Sequence, residues 1–286
     1  MEKGIFCLGC SFTWGEGLYF YSGLADDILK PYHSFDISQM REVYHEYRKK
    51  YRWPRLLANS LNSWEFTSDI GNGGANINHY IYCAHNKLLS GEIKYSDFDY
   101  FIWQFTDPLR DFPGGYERLE TMDGDQTFEI VKEECKRQLL FMDRVLKEWE
   151  QRGVKVLTYS WWPELIQHPY YKENFEHRHV QLYTEDETPH DSLATIIYRG
   201  EEKILKETDE TVTIHVDDDF FSGLGLTPPP NSHLGSTNVT RKKYTIKDDF
   251  YLKGFQKNDI HLNKQGHELV ANSILKKIQT IEQNLI

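Results

Sequence analysis

The chain contains no apolar run that approaches the length of a membrane span. No signal peptide is visible: the N-terminus carries one Lys, and its short apolar run leads directly into a motif. If this is the full natural chain, these absences predict a cytoplasmic protein. Positive charge is in deficit, 33 Lys and Arg against 44 Asp and Glu, for a formal net charge of -11. That balance disfavours general binding to nucleic acid or to an anionic membrane. Cysteine is scarce too, with four at positions 7, 10, 83 and 135. Cys7 and Cys10 have a C-x-x-C spacing, which can mark a redox pair or half a zinc site. No second C-x-x-C and no close Cys/His pair completes a zinc set, so they read as buried or site-lining thiols. The count fits a reducing compartment. Neither an internal repeat nor a linker is visible. Residues 1–286 are therefore expected to form one domain, with a lid or insertion within about 165–255.

Aromatic residues are plentiful: Trp 7, Tyr 18 and Phe 16. That argues against disorder, and 286 residues can bury a large core. Lys3 to Leu8 reads as a short buried strand that stops at Gly9. Residues 16–40 show no clear period. Arg41 to Asn62 looks helical and restarts near Trp53-Pro54, where Pro54 suits a first helical turn. Trp64 to Ile70 is the second strand candidate. A helix from Asn76 to about Leu89 follows, with Ile77, Tyr80, Ile81, Ala84 and Leu88 near helical spacing.

Asp99 to Phe105 is the strongest strand signal, a near-continuous apolar run suited to burial on both faces of a parallel sheet. Gln126 to Gln151 is a long amphipathic helix whose stripe is Val131, Cys135, Leu139, Met142, Val145 or Leu146, and Trp149. Val154 to Tyr159 is the next buried strand. Helices are expected around 164–174 and 190–206, a last strand at Thr211 to Val216, and an exposed loop from Pro228 to Thr240. Asp217 to Asp219 is an acidic run that reads as a solvated loop, with no spaced ligand set for a metal. A final helix runs to about 284, with Asn263 as its N-cap and Val270, Ile274, Ile278, Ile281 and Leu285 as its stripe. Strand alternating with helix predicts an α/β three-layer α/β/α sandwich with a mostly parallel central sheet.

Ligands bind at the carboxyl ends of strands in open α/β sheets. Ser11 follows the first strand by that rule, in Gly9-Cys10-Ser11-Phe12-Thr13-Trp14-Gly15. It can be a nucleophile or merely a helix cap. A serine nucleophile needs a base, and the base needs an orienting acceptor. Asp259 and His261, just before the last helix, can supply both if the chain folds back onto Ser11. Asp69 to Asn78 holds three glycines and three asparagines, a turn that either aims bare N–H groups at an oxyanion or only redirects the chain. The Gln104–Thr106 segment offers side-chain donors at the end of the strongest strand. Trp161 and Trp162 at the next strand end, and Trp14 beside Ser11, can face a substrate or serve as packing.

These blocks resemble those of the SGNH/GDSL hydrolases. Gly9 to Gly15 resembles the first block, with Cys10 where the commonest form has Asp. Gly73-Gly74-Ala75-Asn76 resembles the second, whose Gly donates a backbone N–H to the oxyanion; Gly74 is preferred over Gly73. Asp259-Ile260-His261-Leu262-Asn263 with Gly266-His267 resembles the last, which carries the catalytic Asp and His. The third block departs from the family's Gly-x-Asn-Asp. It reads Gln104-Phe105-Thr106-Asp107, so Thr106 stands at the Asn position, with the Gln104 or Asn76 amide as a substitute donor. The family's usual Asp lies three residues before the His, where this chain has Asn258. Asp259 lies two before it, a spacing similar to that of SGNH-type polysaccharide O-acetyltransferases.

The resemblance implies a flavodoxin-like SGNH hydrolase fold and a serine esterase with no metal and no cofactor. Ser11 would be the nucleophile, His261 the base and Asp259 its partner. Ser11 and Gly74 N–H groups with Thr106, Gln104 or Asn76 would bind the oxyanion. Its substrate would be a small-molecule or carbohydrate ester, with O-acetyl groups on carbohydrate as the first expectation. An O-acyltransferase with the same triad and a non-catalytic glycan-binding relative are the alternatives.

Overall fold

The structure is a computed structural model. It describes residues 3–15, 18, 42–67, 75–112, 124–161, 163–184, 187–193, 204–216, 235–246, 255–256, 259–262 and 264–284. At 42–45, 109, 124–128, 163–164, 204–216, 235–246, 255–256 and 259–261 it describes the backbone alone. The chain divides into two compact units. One comprises Met1–Arg199 with Tyr251–Ile286, and the other is the inserted stretch Gly200–Phe250.

The first unit begins with β1 (Gly4–Leu8), α1 (Ser11–Trp14), α2 (Glu42–Tyr51) and α3 (Trp53–Ser60). It continues with β2 (Glu65–Thr67), α4 (Ile77–Tyr80), a π-helical turn (Ile81–His85) and α5 (Asn86–Ser90). Then come β3 (Phe98–Phe105), the long helix α6 (Gly124–Gln151), β4 (Lys155–Ser160), α7 (Pro163–Gln167) and α8 (Pro169–Phe175). Two short strands, β5 (Leu182–Tyr183) and β6 (Pro189–His190), precede the insertion.

Four strands make an all-parallel sheet in the order β2-β1-β3-β4. Every residue of β1 is buried, and every residue of β3 except Asp99. Such strands have no solvated face and read as continuous apolar runs. Side chains alternate between two separate cores. Phe6, Leu8, Phe101, Trp103 and Phe105 join Tyr80, Cys83 and the α6 stripe of Cys135, Leu139, Met142, Leu146 and Trp149. Ile5, Cys7, Tyr100, Ile102, Leu157 and Tyr159 join Trp53 and Leu57 of α3 and the stripe of the last helix. The alternation breaks once. Gly4 pairs with Phe98 but Ile5 pairs with Tyr100, so Asp99 is an extra, bulged residue. The bulge sends Asp99 outward to an ion pair with Lys3 (3.3 Å) and puts Phe98 and Phe101 in the same core.

Beyond β4, isolated bridges join Thr158 to His179 and Ser160 to Ser192, so two short extended stretches lie along its outer edge. After the insertion come β9 (Phe255–Gln256) and β10 (Asp259–Leu262), antiparallel to each other, and α9 (Lys264–Gln283). No helix among the described residues is long and apolar enough to cross a membrane.

The second unit holds one antiparallel hairpin, β7 (Ile204–Val216) with β8 (Gly235–Ile246). Two expectations are corrected here. The helix placed around 190–206 is not formed at its ends: His190 belongs to β6, Ser192 bridges β4 and β7 starts at Ile204. The loop expected to run to Thr240 gives way to strand at Gly235. The first reflects the pairing of His190 with Leu182 and of Ser192 with Ser160. The second reflects a register that sets Val212 opposite Val239, Asp209 opposite Lys242 and Glu210 opposite Arg241, pairings that favour a sheet.

In the first unit, the helix expected around 164–174 is two helices broken at His168, before Pro169. The helix after the glycine turn starts at Ile77, and its π-helical turn rotates the buried face. Cys83 is therefore buried, while Ile81, expected on the stripe, is 37% exposed. Asn263 and Leu285 lie outside the described residues.

Candidate functional site

The strand order reverses between β1 and β3, which are neighbours in space while β2 lies on the far side of β1. In open parallel sheets the crevice at the carboxyl ends of two such strands is the ligand position. Ser11 follows β1 there, and Thr106 follows β3. The β10 strand, which carries Asp259 and His261, comes to the same place: Cα atoms of α1 and β10 approach within 8 Å. Leu262, at the end of β10, is buried in the core cluster that holds Cys10 and Phe12. Residues far apart in sequence, Ser11 and the Asp259–His261 strand, are thus brought to one edge of the sheet. At 259–261 the backbone alone is described.

The turn around Ser11 is tightly built. Cys10 is extended (φ -87°, ψ -158°), and its carbonyl accepts from the N–H groups of Thr13 (2.9 Å) and Trp14 (3.1 Å). Gly15 closes the helix at φ 88°, a left-handed conformation that favours glycine. Ser11 is 6% exposed. The inner side of the turn is stitched to β3. Thr13 Oγ1 donates to Gln104 Oε1 (2.6 Å), and Gln104 Nε2 donates to Cys10 Sγ (3.0 Å). Burial pushes the nearby Tyr159 hydroxyl up. Gln104 is fully buried, so its amide is engaged within the turn rather than presented at the site.

The loop after β3 is clamped from a second direction. Thr106 N–H donates to Asn76 Oδ1 (2.8 Å), and Asn76 Nδ2 donates back to the Thr106 carbonyl (3.0 Å) and to Gln138 Oε1 (2.7 Å). Gln138, on α6, donates to the Pro108 carbonyl and to Glu134 Oε1. Asp111 caps the start of α4 from outside that helix, accepting from the N–H of Ile77 (2.8 Å) and of Asn78 (3.0 Å). The Asn76 amide is therefore engaged too. The Thr106 hydroxyl is different: it is buried and has no hydrogen-bond partner among the described residues. A buried hydroxyl costs free energy unless something bonds it.

Aromatic side chains surround the turn, and the described ones are packed. The Arg48 guanidinium lies 3.9 Å from the Trp14 ring centre and donates to the Trp14 carbonyl (2.8 Å). Trp161 stacks on Phe12 with ring centres 4.3 Å apart. Trp162 and Gly74 lie outside the described residues. His267, the second histidine of the last block, is buried, and its Nδ1 accepts from the Trp53 N–H (3.2 Å) at the start of α3. That is a capping role, distinct from the role assigned to His261.

None of the four cysteines forms a disulfide, and all four are buried. Burial pushes the Cys7 thiol up, with the Glu65 carboxylate adding to the effect, which disfavours the thiolate that redox or metal work needs. No group of three or more His, Cys, Asp or Glu placed to hold a metal ion occurs among the described residues.

Gln138 and Asp111 are site-building residues that the motif reading passed over. Gln138 had a signal: it is a polar residue inside the apolar stripe of α6, between Cys135 and Leu139. Asp111 had none, since its partners lie in the first turn of α4, more than thirty residues earlier in the chain. Comparison with protein-family models, with curated proteins and with solved structures finds no match for this chain.

Proposed function

We propose that the chain is a serine hydrolase of carboxylic esters, built on a flavodoxin-like three-layer α/β/α sandwich. The observation that carries this reading is the approach of β10, bearing Asp259 and His261, to α1, bearing Ser11, at the strand-order reversal. The order β2-β1-β3-β4 agrees with the first four strands of the flavodoxin-like order. Cores on both faces of the sheet agree with three layers.

In this reading Ser11 Oγ attacks the ester carbonyl while His261 takes its proton. His261 then returns that proton to the departing alcohol, and water hydrolyses the acyl-enzyme in the same way. Asp259 orients the imidazole. The oxyanion receives the N–H groups of Ser11 and Gly74 and the Thr106 hydroxyl. The Thr106 hydroxyl, buried and without a partner among the described residues, supports its place in that set, because an oxyanion would supply an acceptor. The Gln104 and Asn76 amides are engaged elsewhere and are not needed in it. Carbohydrate O-acetyl esters remain the proposed natural substrates.

Turnover of a short-chain aryl ester by the wild type and by Ser11→Ala tests the proposal. Wild-type turnover that falls to background in Ser11→Ala is expected. Full activity in Ser11→Ala overturns the triad. Glycan binding without turnover in the wild type assigns a binding module instead.

A further inference from the structure

The family pattern has glycine where this chain has Gln104, and a fully buried glutamine at the end of a central strand needs a reason. Its bonds supply one. The carbonyl oxygen accepts from Thr13, two residues after Ser11, and the amide N–H donates to the sulfur of Cys10, one residue before it. Gln104 therefore holds the nucleophile turn on both sides of Ser11. The fit leaves no slack. A Cβ on Gly9 would sit 2.1 Å from Thr13 Oγ1 and 2.7 Å from Gln104 Oε1, so the turn lies directly against this amide. Two residues beyond Gln104 is Thr106, clamped in turn by Asn76.

We infer that Gln104 is a positioning residue, fixing Ser11 relative to Thr106 by tying Cys10 and Thr13 to the end of β3, and that it does not itself donate to the oxyanion. The inference rests on the serine hydrolase reading. It goes beyond it by giving a role to the residue at which the third block departs furthest from the family pattern. Its energetic logic is geometric. Misplacing a reacting atom by about 1 Å can cost about 10²-fold in rate while leaving binding alone.

The test uses the full chain, with a fluorophosphonate to label and count reactive Ser11 and an aryl acetate to measure turnover. In Gln104→Leu, kcat per labelled site should fall by about 10–100-fold with KM within about twofold. Thr13→Val removes the same tie from its other end. Its effect and that of Gln104→Leu should be strongly non-additive, because both break one connection. An oxyanion donor at Gln104 predicts additive effects instead, with Thr13→Val near wild type.

Gln104→Glu guards against a folding failure, since it keeps the side-chain shape and the acceptor for Thr13. Its neutral acid can donate to the Cys10 sulfur and its carboxylate cannot. Its kcat relative to wild type should therefore rise as pH is lowered from about 8 to about 5, where a buried carboxyl takes up its proton. A flat ratio overturns the role, as does wild-type kcat per labelled site in Gln104→Leu. A wild type that takes no label and turns over no ester overturns the hydrolase reading itself, and the Gln104 role with it.

Discussion

Gly9 shows how little room the first motif leaves. A methyl group there would lie 2.1 Å from Thr13 Oγ1 and 2.8 Å from Gln104 Cβ, and neither atom is the loose end of an exposed side chain. Gly9→Ala is expected to destabilise the fold by about 1–3 kcal/mol, the range for overpacking a tight core, and a urea melt measures it. An unchanged midpoint would mean that the turn yields more easily than its packing indicates. The place of Ser11 at the carboxyl end of β1 was legible in the sequence because a strand ending in Gly-x-Ser is a local pattern. The engagement of Gln104 and Asn76 was not. Both read as spare amides on paper, and only their long-range partners, Cys10 and Thr13 for one, Thr106 and Gln138 for the other, show that they are occupied.

Elements with a strong internal period were legible almost to the residue. The α6 stripe from Cys135 to Trp149 is buried as its spacing requires, and β3 fills the expected apolar run. Elements defined by a partner were not. The strand expected at Thr211 to Val216 is the second half of β7, but the first half and β8 appear only when two mixed-charge stretches are set in register. Partner-defined stability also governs the segment after α8. Arg178, 3% exposed, bonds Asp143 (3.0 Å) and Glu150 (2.7 Å) on α6. Removing the guanidinium would strand a buried carboxylate. Arg178→Ala is therefore expected to cost about 3 kcal/mol in a denaturant titration, the lower end for a broken buried pair, because Lys147 and Tyr170 still reach Asp143. A loss well below 1 kcal/mol would show that water reaches the carboxylate once Arg178 is gone.

At the scale of the whole molecule, buried histidines set the response to acid. Burial lowers His79 and His179 from 6.5 to about 4. The unfolded chain binds protons at these sites first, so stability is lost as pH falls from about 6.5 towards about 4. Asp143 acts lower still. Its burial favours the neutral form, but hydrogen bonds from Lys147, Arg178 and Tyr170 outweigh that and hold it below 3.8. Its contribution is present above 3.8 and disappears only as pH drops through the lower folded value. The urea midpoint should therefore decline through the histidine window and again in strong acid; a midpoint constant between about 7 and about 4 would contradict the first step.

By itself the sequence determined the strands and helices whose burial repeats along one segment, and the residue types on which the proposed ester chemistry rests. Burial periodicity and motif spacing are properties of neighbours in the chain. Only the tertiary structure decided that β1 and β3 lie side by side, that β10 reaches α1, and that the Gln104 and Asn76 amides are bonded while the Thr106 hydroxyl has no partner among the described residues. Those outcomes depend on which distant groups come to share a buried space, and on which of them find hydrogen-bond partners there.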